Sequence, residues 1–169
     1  MKAVAIDLDE ALGDTRPLWE EFLADAARRF ATIAPLDPDR LPADRAEAAA
    51  ELDRWAAQGV GDWRGALTRF AEDRAPVFLR PNAEASAALR GLVDAGYRIG
   101  VFTDAPAELA RVALPHLGAA RRVEALEAGA GARERLLARL GADAEVASSR
   151  DDLVNISSRG AEELGRLSA

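Results

Sequence analysis

The feature that most constrains this chain is a short apolar run near its start that ends in acids, in the stretch VAIDLDEAL. Residues 2–8 include β-branched side chains and show no alternation of polar and apolar positions, which is typical of a strand buried on both faces. Strands of this kind occur in parallel sheets that helices cover on both sides. The acids Asp7, Asp9 and Glu10 would then lie at the carboxyl end of a central strand.

A second strand pattern also ends in polar residues. The stretch NAEASAALRGLVDAG predicts a helix that Asn82 caps and Gly96 ends. It leads into YRIGVFTDAP, which predicts a strand that stops at Thr103 and Asp104. Because ligands bind outside the carboxyl ends of the strands in open parallel sheets, the two strand ends together predict a functional site.

The remaining sequence predicts further helices and strands in alternation. Helical patterns are present in PAELARVALPHLG and GAGARERLLARLG, and short strand patterns in RRVEAL and AEVASS. The polar stretch DDLVNISSRGAEELGRLSA predicts one or two short helices. This rhythm implies an α/β fold in which helices flank a parallel sheet and the crossovers are right-handed.

Between residue 13 and residue 76 no stretch has the pattern of a strand. In LWEEFLADAARRF apolar residues recur every four positions, which predicts an amphipathic helix with Thr15 as N-cap and Pro17 in the first turn. The stretch APLDPDRLPAD predicts a loop, and AEAAAELDRWAAQG and WRGALTRFAED predict two more helices. The sequence therefore predicts a helical insertion after the first strand.

Composition argues against several classes of protein. The chain has 169 residues, a formal net charge of -7 and no cysteine. The negative charge argues against a nucleic-acid-binding protein, and the lack of cysteine excludes disulfides and thiolate metal sites. No apolar stretch approaches the ~20 residues that cross a bilayer, and the first residues do not resemble a signal peptide. We therefore expect a cytoplasmic protein with one core and a modest insertion, and no membrane partner.

The spacing of Asp7 and Asp9 has a chemical consequence. Alternate residues of an extended strand project to the same side, so the two carboxylates would point towards one position while Leu8 is turned into the core. Neighbouring carboxylates repel each other unless a cation or a shared proton lies between them, and Mg²⁺ takes oxygen ligands of this kind. Such an ion would also help to bring a phosphate to an aspartate nucleophile.

These two stretches resemble the first two motifs of the haloacid dehalogenase-like (HAD) hydrolase superfamily. VAIDLDEAL is similar to an apolar strand followed by Asp-x-Asp-x-Thr/Val-Leu, and RIGVFTDAP is similar to an apolar strand that ends in Thr or Ser. The helical insertion resembles the cap of the first type in that family. The resemblance implies a Rossmann-like parallel core at residues 1–13 and 81–169, with an inserted α-helical cap at residues 14–80.

The resemblance also implies roles for the residues at the two strand ends. Asp7 would be the nucleophile that forms an aspartyl-phosphate, and Asp9 would be the general acid and later the base that activates water. A side-chain oxygen of Asp7 and the backbone carbonyl of Asp9 would bind Mg²⁺. Thr103 would hydrogen-bond the phosphoryl group, assisted by the backbone N–H of Asp104. Because the second acid is Asp9, the pattern is similar to the phosphotransferase branch of the family, which implies a small phosphorylated substrate and argues against dehalogenation.

The sequence departs from the family pattern in its charges. The two residues after Asp9 are Gly-Thr in the family pattern. In this chain the first of them is Glu10, which adds a negative charge at this position. The third motif of the family supplies a lysine, but this chain contains only Lys2. Arg133, in GAGARERLL, lies where that lysine is expected and is our candidate for the catalytic cation, with Arg121 and Arg122 as weaker candidates. Arginine keeps the charge but not the compact geometry of lysine.

Two interpretations of AEVASSRDDL lead to different metal sites. In the first, Asp151 and Asp152 are the acids of the fourth motif and complete the Mg²⁺ site with Asp7 and Asp9. In the second, this strand is the last strand of the family fold and the fourth motif is deleted. Asp151 and Asp152 would then begin a plain helix, whose dipole favours acids in its first turn.

Three functional hypotheses follow from these residues. The first is a Mg²⁺-dependent phosphatase that acts on a small phosphorylated metabolite through Asp7 and Asp9. The second is a degenerate family member that keeps the fold and serves as a binding or regulatory protein. The third is a site completed by another subunit. Because three acids and a phosphate carrying about two negative charges meet few cations, the sequence predicts very slow or absent phosphatase activity.

Overall fold

The structure is a computed structural model that describes residues 1–31, 33 and 35–167. Its strands are β1 (Ala3–Asp7), β2 (Arg98–Thr103), β3 (Ala125–Ala128) and β4 (Glu145–Ala147). They form a four-stranded parallel sheet in the order β3-β2-β1-β4. The predicted α/β fold with a parallel sheet is confirmed, and β1 is a central strand with a neighbour on each side.

Helices flank this sheet and fill the connections between its strands. They are α1 (Arg16–Phe30), α2 (Arg45–Ala57), α3 (Trp63–Phe78), α4 (Ala83–Asp94), α5 (Ala107–His116), α6 (Ala132–Leu140) and α7 (Arg150–Leu167). Two short turns of other helix types are present, a π-helical turn at Leu8–Leu12 and a 3-10 turn at Pro38–Arg40. Of the helices in the described part of the chain, none is long and apolar enough to cross a membrane.

The side chains of β1 alternate between two buried clusters. Val4 and Ile6 belong to the larger cluster, which includes residues of α1, α3, α4, α5 and α7. Ala3 and Ala5 belong to a smaller cluster with Leu136 of α6 on the other face. This alternation follows from the two-residue period of a strand. Burial on both faces explains why the first apolar run of the sequence contains no polar positions.

Several local sequence signals are confirmed. The side chain of Asn82 accepts a hydrogen bond from the backbone N–H of Ala85 at 3.0 Å, as an N-cap does. Gly96 has a φ of 77°, in the left-handed region that favours glycine, just after the end of α4. Pro17 lies in the first turn of α1.

Two elements differ from the sequence expectation. The strand predicted in RRVEAL begins later, at Ala125, because the backbone N–H of Arg122 donates to the carbonyl of Ala119 in a turn. The stretch predicted to form one or two short helices forms the single helix α7. Its buried residues Leu153 and Ile156 join the large cluster, and this packing extends the helix beyond what its polar sequence suggests.

The helices α1, α2 and α3 lie between β1 and α4 along the chain, as the predicted insertion requires. Their buried aromatic residues Trp19, Phe22 and Trp63 belong to the same cluster as Val4 and Ile6 of β1. The insertion and the sheet therefore share one continuous core. The division into a core at residues 1–13 and 81–169 and a cap at residues 14–80 stays a prediction.

Candidate active site

The first acid, Asp7, ends β1 and also caps the turn that follows. Its Oδ1 accepts hydrogen bonds from the backbone N–H groups of Asp9 at 3.0 Å and Glu10 at 3.2 Å. These bonds stabilise the π-helical turn Leu8–Leu12, so the chain leaves the extended conformation directly after Asp7. Leu8 is fully buried, as predicted, but the expectation that Asp7 and Asp9 both lie on an extended strand is wrong.

Asp7 faces a cavity of about 280 Å³ at the carboxyl ends of β1 and β2. The cavity is also lined by Thr103, Asp104 and Arg133. The structure thus brings together four of the residues that the sequence singles out. Glycines at positions 129 and 131 line the same cavity, and they allow the chain to turn tightly into α6.

Burial raises the pKa of the Asp7 carboxyl, and the nearby negative charge of Asp9 raises it further. The two backbone N–H groups on Oδ1 oppose this shift without cancelling it. The other oxygen, Oδ2, accepts no hydrogen bond from the described residues. Asp7 therefore combines one fixed oxygen with one that is available to a ligand.

Arg133 lies in the first turn of α6, two residues after Gly131, whose φ of 66° lies in the left-handed region. Its side chain is exposed and forms no ion pair or hydrogen bond within residues 1–31, 33 and 35–167. The guanidinium is thus uncommitted beside the Asp7 cavity. Arg121 and Arg122 lie before β3, at the edge where the strands begin, so they are far from the strand ends that form the cavity.

Sequence reasoning missed Arg45, the first residue of α2. It is 3% exposed, although arginine is rarely buried without partners. Its Nη2 donates to Asp104 Oδ1 at 2.6 Å and to Asp9 Oδ2 at 2.5 Å, and its Nη1 donates to Thr15 Oγ1 at 2.7 Å. A helix of the insertion therefore places a buried positive charge between the acids of both strand ends.

The carboxylate of Asp9 is fully engaged by its neighbours. Its Oδ1 accepts hydrogen bonds from the backbone N–H of Thr15 at 2.8 Å and from Thr15 Oγ1 at 2.6 Å. Its Oδ2 accepts from Thr103 Oγ1 at 3.0 Å and from Arg45. Thr15 was predicted to cap α1, but it forms no such cap because its hydroxyl binds Asp9 instead.

The negative charge of Glu10 is also compensated. Its Oε1 accepts a hydrogen bond from Arg16 Nη1 at 2.8 Å, and both side chains are half exposed. Arg16 also binds Asp14 through its Nε at 2.7 Å. Glu10 is therefore paired at the protein surface and is not an additional free charge in the cavity.

The acids of the C-terminal segment lie in the first turn of α7. Asp152 Oδ2 accepts a hydrogen bond from the backbone N–H of Ser148, and Ser149 Oγ accepts from the N–H of Asp152, both at 3.1 Å. This reciprocal pattern resembles a capping box. In the register of β1 and β4, Ile6 pairs with Ala147, so the residue that continues next to Asp7 is Ser148 and not an acid. The role of Asp151 and Asp152 as metal ligands stays a prediction.

Mg²⁺ is the cofactor that the family resemblance implies. The oxygen atoms available at Asp7 can be compared with the ligands that Mg²⁺ takes in proteins. Mg²⁺ is usually held by one or two carboxylates together with substrate phosphates and water. The free Oδ2 of Asp7 fits this pattern, whereas the side-chain oxygens of Asp9 are already occupied. Among the described residues, no group of three or more His, Cys, Asp or Glu side chains could hold a metal. The residues fit an ion that binds together with a phosphate.

The ion pair between Asp104 and Arg45 makes stability depend on pH. Burial raises the pKa of Asp104, but the hydrogen bonds and charge of Arg45 outweigh it and hold that pKa below its usual value. A carboxyl with a lowered pKa in the folded state stabilises the fold above its unfolded pKa of about 4, and this contribution is lost as the pH falls below that value. We expect the difference in unfolding free energy between wild type and Asp104→Asn to be constant from pH 5 to 7, about one to three units above that pKa. Below about pH 4 this difference in unfolding free energy should become smaller. Urea denaturation of both proteins at each pH measures it. A difference that grows on acidification would contradict this assignment.

The fold and this site define the class of protein. The model of the haloacid dehalogenase-like hydrolase family matches residues 1–151, and the chain belongs to this family. The match covers both strand ends, the insertion and the helix that carries Arg133.

Solved structures give a likeness in fold. The structure is similar to that of a protein assigned as a β-phosphoglucomutase from Thermotoga maritima, with a TM-score of 0.55 and 16% identity over 94% of this chain and 99% of that chain. A HAD phosphatase from Thermococcus onnurineus matches with a TM-score of 0.47 and 21% identity over 76% of this chain and 62% of that chain. No curated protein matches this chain.

Proposed function

We propose that this protein is a phosphatase that transfers the phosphoryl group of a small phosphorylated compound to Asp7 and then hydrolyses the aspartyl-phosphate. The observation that carries the proposal is that Asp7 and Arg133 line one cavity. A carboxylate with a free oxygen is a nucleophile for phosphoryl transfer. An unpaired arginine at a helix N-terminus provides the charge and the donors that bind a phosphate.

The geometry of Asp7 favours attack by one particular oxygen. Two backbone N–H groups hold Oδ1, which leaves Oδ2 to approach the phosphorus atom. Arg133 would bind the non-bridging phosphate oxygens, and the backbone N–H of Asp104 would donate a further hydrogen bond. Thr103 lines the cavity but donates its hydroxyl proton to Asp9, so in this arrangement it would position Asp9 instead of binding the phosphate.

The Asp7 carboxylate and the backbone carbonyl of Asp9 would hold Mg²⁺, which would supply positive charge against the repulsion between the nucleophile and the phosphate. The charge of Arg45 acts differently, because its guanidinium is bound to Asp9 and Asp104 and does not line the cavity. Arg45 therefore neutralises acids of the site, while Arg133 remains for the substrate.

A second candidate function is a protein that binds phosphorylated ligands without turnover. The observation that favours it is the engagement of Asp9, whose oxygens accept four hydrogen bonds. Ile6 pairs with Ala147 of β4, so the residue that continues beside Asp7 is the uncharged Ser148. Phosphate binding with no release of product would support this alternative.

The proposal is tested by replacing the nucleophile. Asp7→Asn is expected to lower turnover of p-nitrophenyl phosphate in the presence of Mg²⁺ by about a thousandfold or more, because the amide cannot form the phosphoryl intermediate. The matched control is Asp143→Asn, an exposed aspartate at the opposite edge of the sheet, which should leave turnover unchanged. Equal turnover in wild type and Asp7→Asn would exclude Asp7 as the nucleophile.

A further inference from the structure

A second cavity, of about 220 Å³, lies beside the Asp7 cavity. The linings of the two cavities share Asp104 and Gly129. From these residues the second cavity, which we call the side cavity, extends towards the insertion, because residues of α2 and α3 also line it. A compound whose phosphate binds between Asp7 and Arg133 would therefore place its remaining atoms in the side cavity.

The lining of the side cavity limits the size of what it can hold. Three of its lining side chains are charged, and all the others belong to alanine, glycine or proline. Three of the alanines, Ala46, Ala49 and Ala50, share one face of α2. Pockets for drug-sized ligands measure roughly 300–1,000 Å³. The side cavity is smaller, and within the described residues no aromatic side chain lines it on which a base could stack, so it fits a group of a few carbon atoms.

The charged side chains of the side cavity offer both donors and an acceptor. Asp53 Oδ1 accepts the indole N–H of Trp63 and Nε of Arg64, both at 3.0 Å, and Asp53 Oδ2 accepts Arg64 Nη2 at 2.8 Å. Arg64 Nη1 donates to Glu108 Oε2 at 3.0 Å. Toward the described part of the chain Arg64 thus uses three of its five N–H groups, and Asp53 Oδ2 keeps one lone pair.

The charges of the side cavity are already balanced by protein partners. Arg64 lies between the carboxylates of Asp53 and Glu108, and Asp104 is paired with the buried Arg45. A second anionic group on the ligand would lie beside Asp53 and Asp104 and meet only a cation that is already paired, which like-charge repulsion disfavours. An ammonium group would meet the guanidinium of Arg64. A hydroxyl group suits both, because it donates to a carboxylate and accepts from a guanidinium.

We infer that the substrates of this protein are phosphate monoesters of small, uncharged polyhydroxy compounds, whose hydroxyl groups bind Asp53 and Arg64 in the side cavity. This inference rests on the proposed function, because it takes the cavity of Asp7 and Arg133 as the phosphate site. It adds the substrate class and assigns Asp53 and Arg64 as the residues that determine specificity.

The experiment compares two ligands that differ in one group. In phosphoglycerate a carboxylate replaces the terminal hydroxymethyl group of glycerol phosphate. With Mg²⁺ present, we expect kcat/KM for phosphate release by the full chain to be about tenfold or more higher for glycerol phosphate. Calorimetric titration of Asp7→Asn should give the same order of affinities. Equal values for the two ligands, or a preference for phosphoglycerate, would overturn the inference.

Two variants of the side cavity should change this preference in opposite directions. Asp53→Asn removes a negative charge and frees Arg64 from one acid, so the ratio of glycerol phosphate to phosphoglycerate should fall by about tenfold. Arg64→Met leaves only carboxylates in the lining, so the ratio should rise. A merely structural role would weaken both ligands alike and leave the ratio unchanged. The matched control is Asp73→Asn, an exposed aspartate of α3 outside both linings, whose ratio should equal that of wild type.

Two other ligands test the size and charge limits. Adenosine monophosphate carries a group too large for the side cavity, and phosphoethanolamine carries an ammonium group. Both should inhibit phosphate release from glycerol phosphate only at concentrations about tenfold or more above its KM. Inhibition by either compound at concentrations close to that KM contradicts the assigned substrate class.

The outcomes separate the inference from the proposed function. If phosphate release requires Asp7 but the two ligands are used equally, the inference falls alone. If wild type releases no phosphate while calorimetry shows the preference for glycerol phosphate, turnover falls and the ligand class stands. If neither ligand is hydrolysed or bound, both fall.

Discussion

Arg45→Met is expected to lower the free energy of unfolding by about 3–5 kcal/mol, the cost of breaking a buried ion pair by removing one partner. The Arg45 side chain is 4% exposed and serves Asp9, Thr15 and Asp104 at once. Methionine fills a similar volume, so most of the loss comes from leaving the buried Asp9 carboxylate without its positive partner. Urea denaturation followed by tryptophan fluorescence measures this difference.

The matched control is Arg54→Met, in the same helix as Arg45. Arg54 pairs with Glu51, but both side chains are largely exposed, so its loss should change stability by less than about 1 kcal/mol. The double variant Arg45→Met/Asp9→Asn should recover part of the loss, because it removes the uncompensated charge. A loss for Arg45→Met no greater than that for Arg54→Met would contradict the buried ion pair.

The central part of the fold could be predicted because its signals are local. The apolar runs that end at Asp7 and Thr103 form neighbouring parallel strands, and Asn82 caps the helix between them. Parallel strands bring their carboxyl ends to one edge, so the common cavity of Asp7, Thr103 and Arg133 also followed from the order of elements.

The surroundings of Asp9 could not be predicted, because they depend on contacts between distant residues. Arg45 lies at the junction of a predicted loop and a predicted helix, and 36 residues separate it from Asp9. Arg45 becomes buried only when α2 packs above the carboxyl ends of β1 and β2. Thr15 has the sequence signal of a helix cap, but the tertiary contact with Asp9 outcompetes that local bond.

The two arginines at the site have different electrostatic roles. Sequence reasoning looked for one cation to replace the lysine of the family and found Arg133. The structure places a second cation, Arg45, on Asp9 and Asp104, where it is engaged before any substrate binds. Positive charge is therefore present in the site, but only the Arg133 guanidinium adjoins the Asp7 cavity without a protein partner among the described residues.

Trp63→Ala is expected to destabilise the protein by about 3–5 kcal/mol, the usual cost of truncating a buried aromatic side chain. Trp63 is 1% exposed, packs edge-on against Trp19 at 6.2 Å, and donates its indole N–H to Asp53 at 3.0 Å. Because Trp63 belongs to the same buried cluster as Ile6 of β1, the loss should appear as one cooperative unfolding transition of the insertion and the sheet together.

The control Trp63→Phe separates packing from hydrogen bonding. Phenylalanine keeps most of the aromatic contact with Trp19 and removes the indole N–H, so it should lose less stability than alanine. An equal loss in both variants would assign the effect to the hydrogen bond with Asp53. Two separate transitions, with only the first shifted by Trp63→Ala, would show that residues 14–80 unfold as an independent cap.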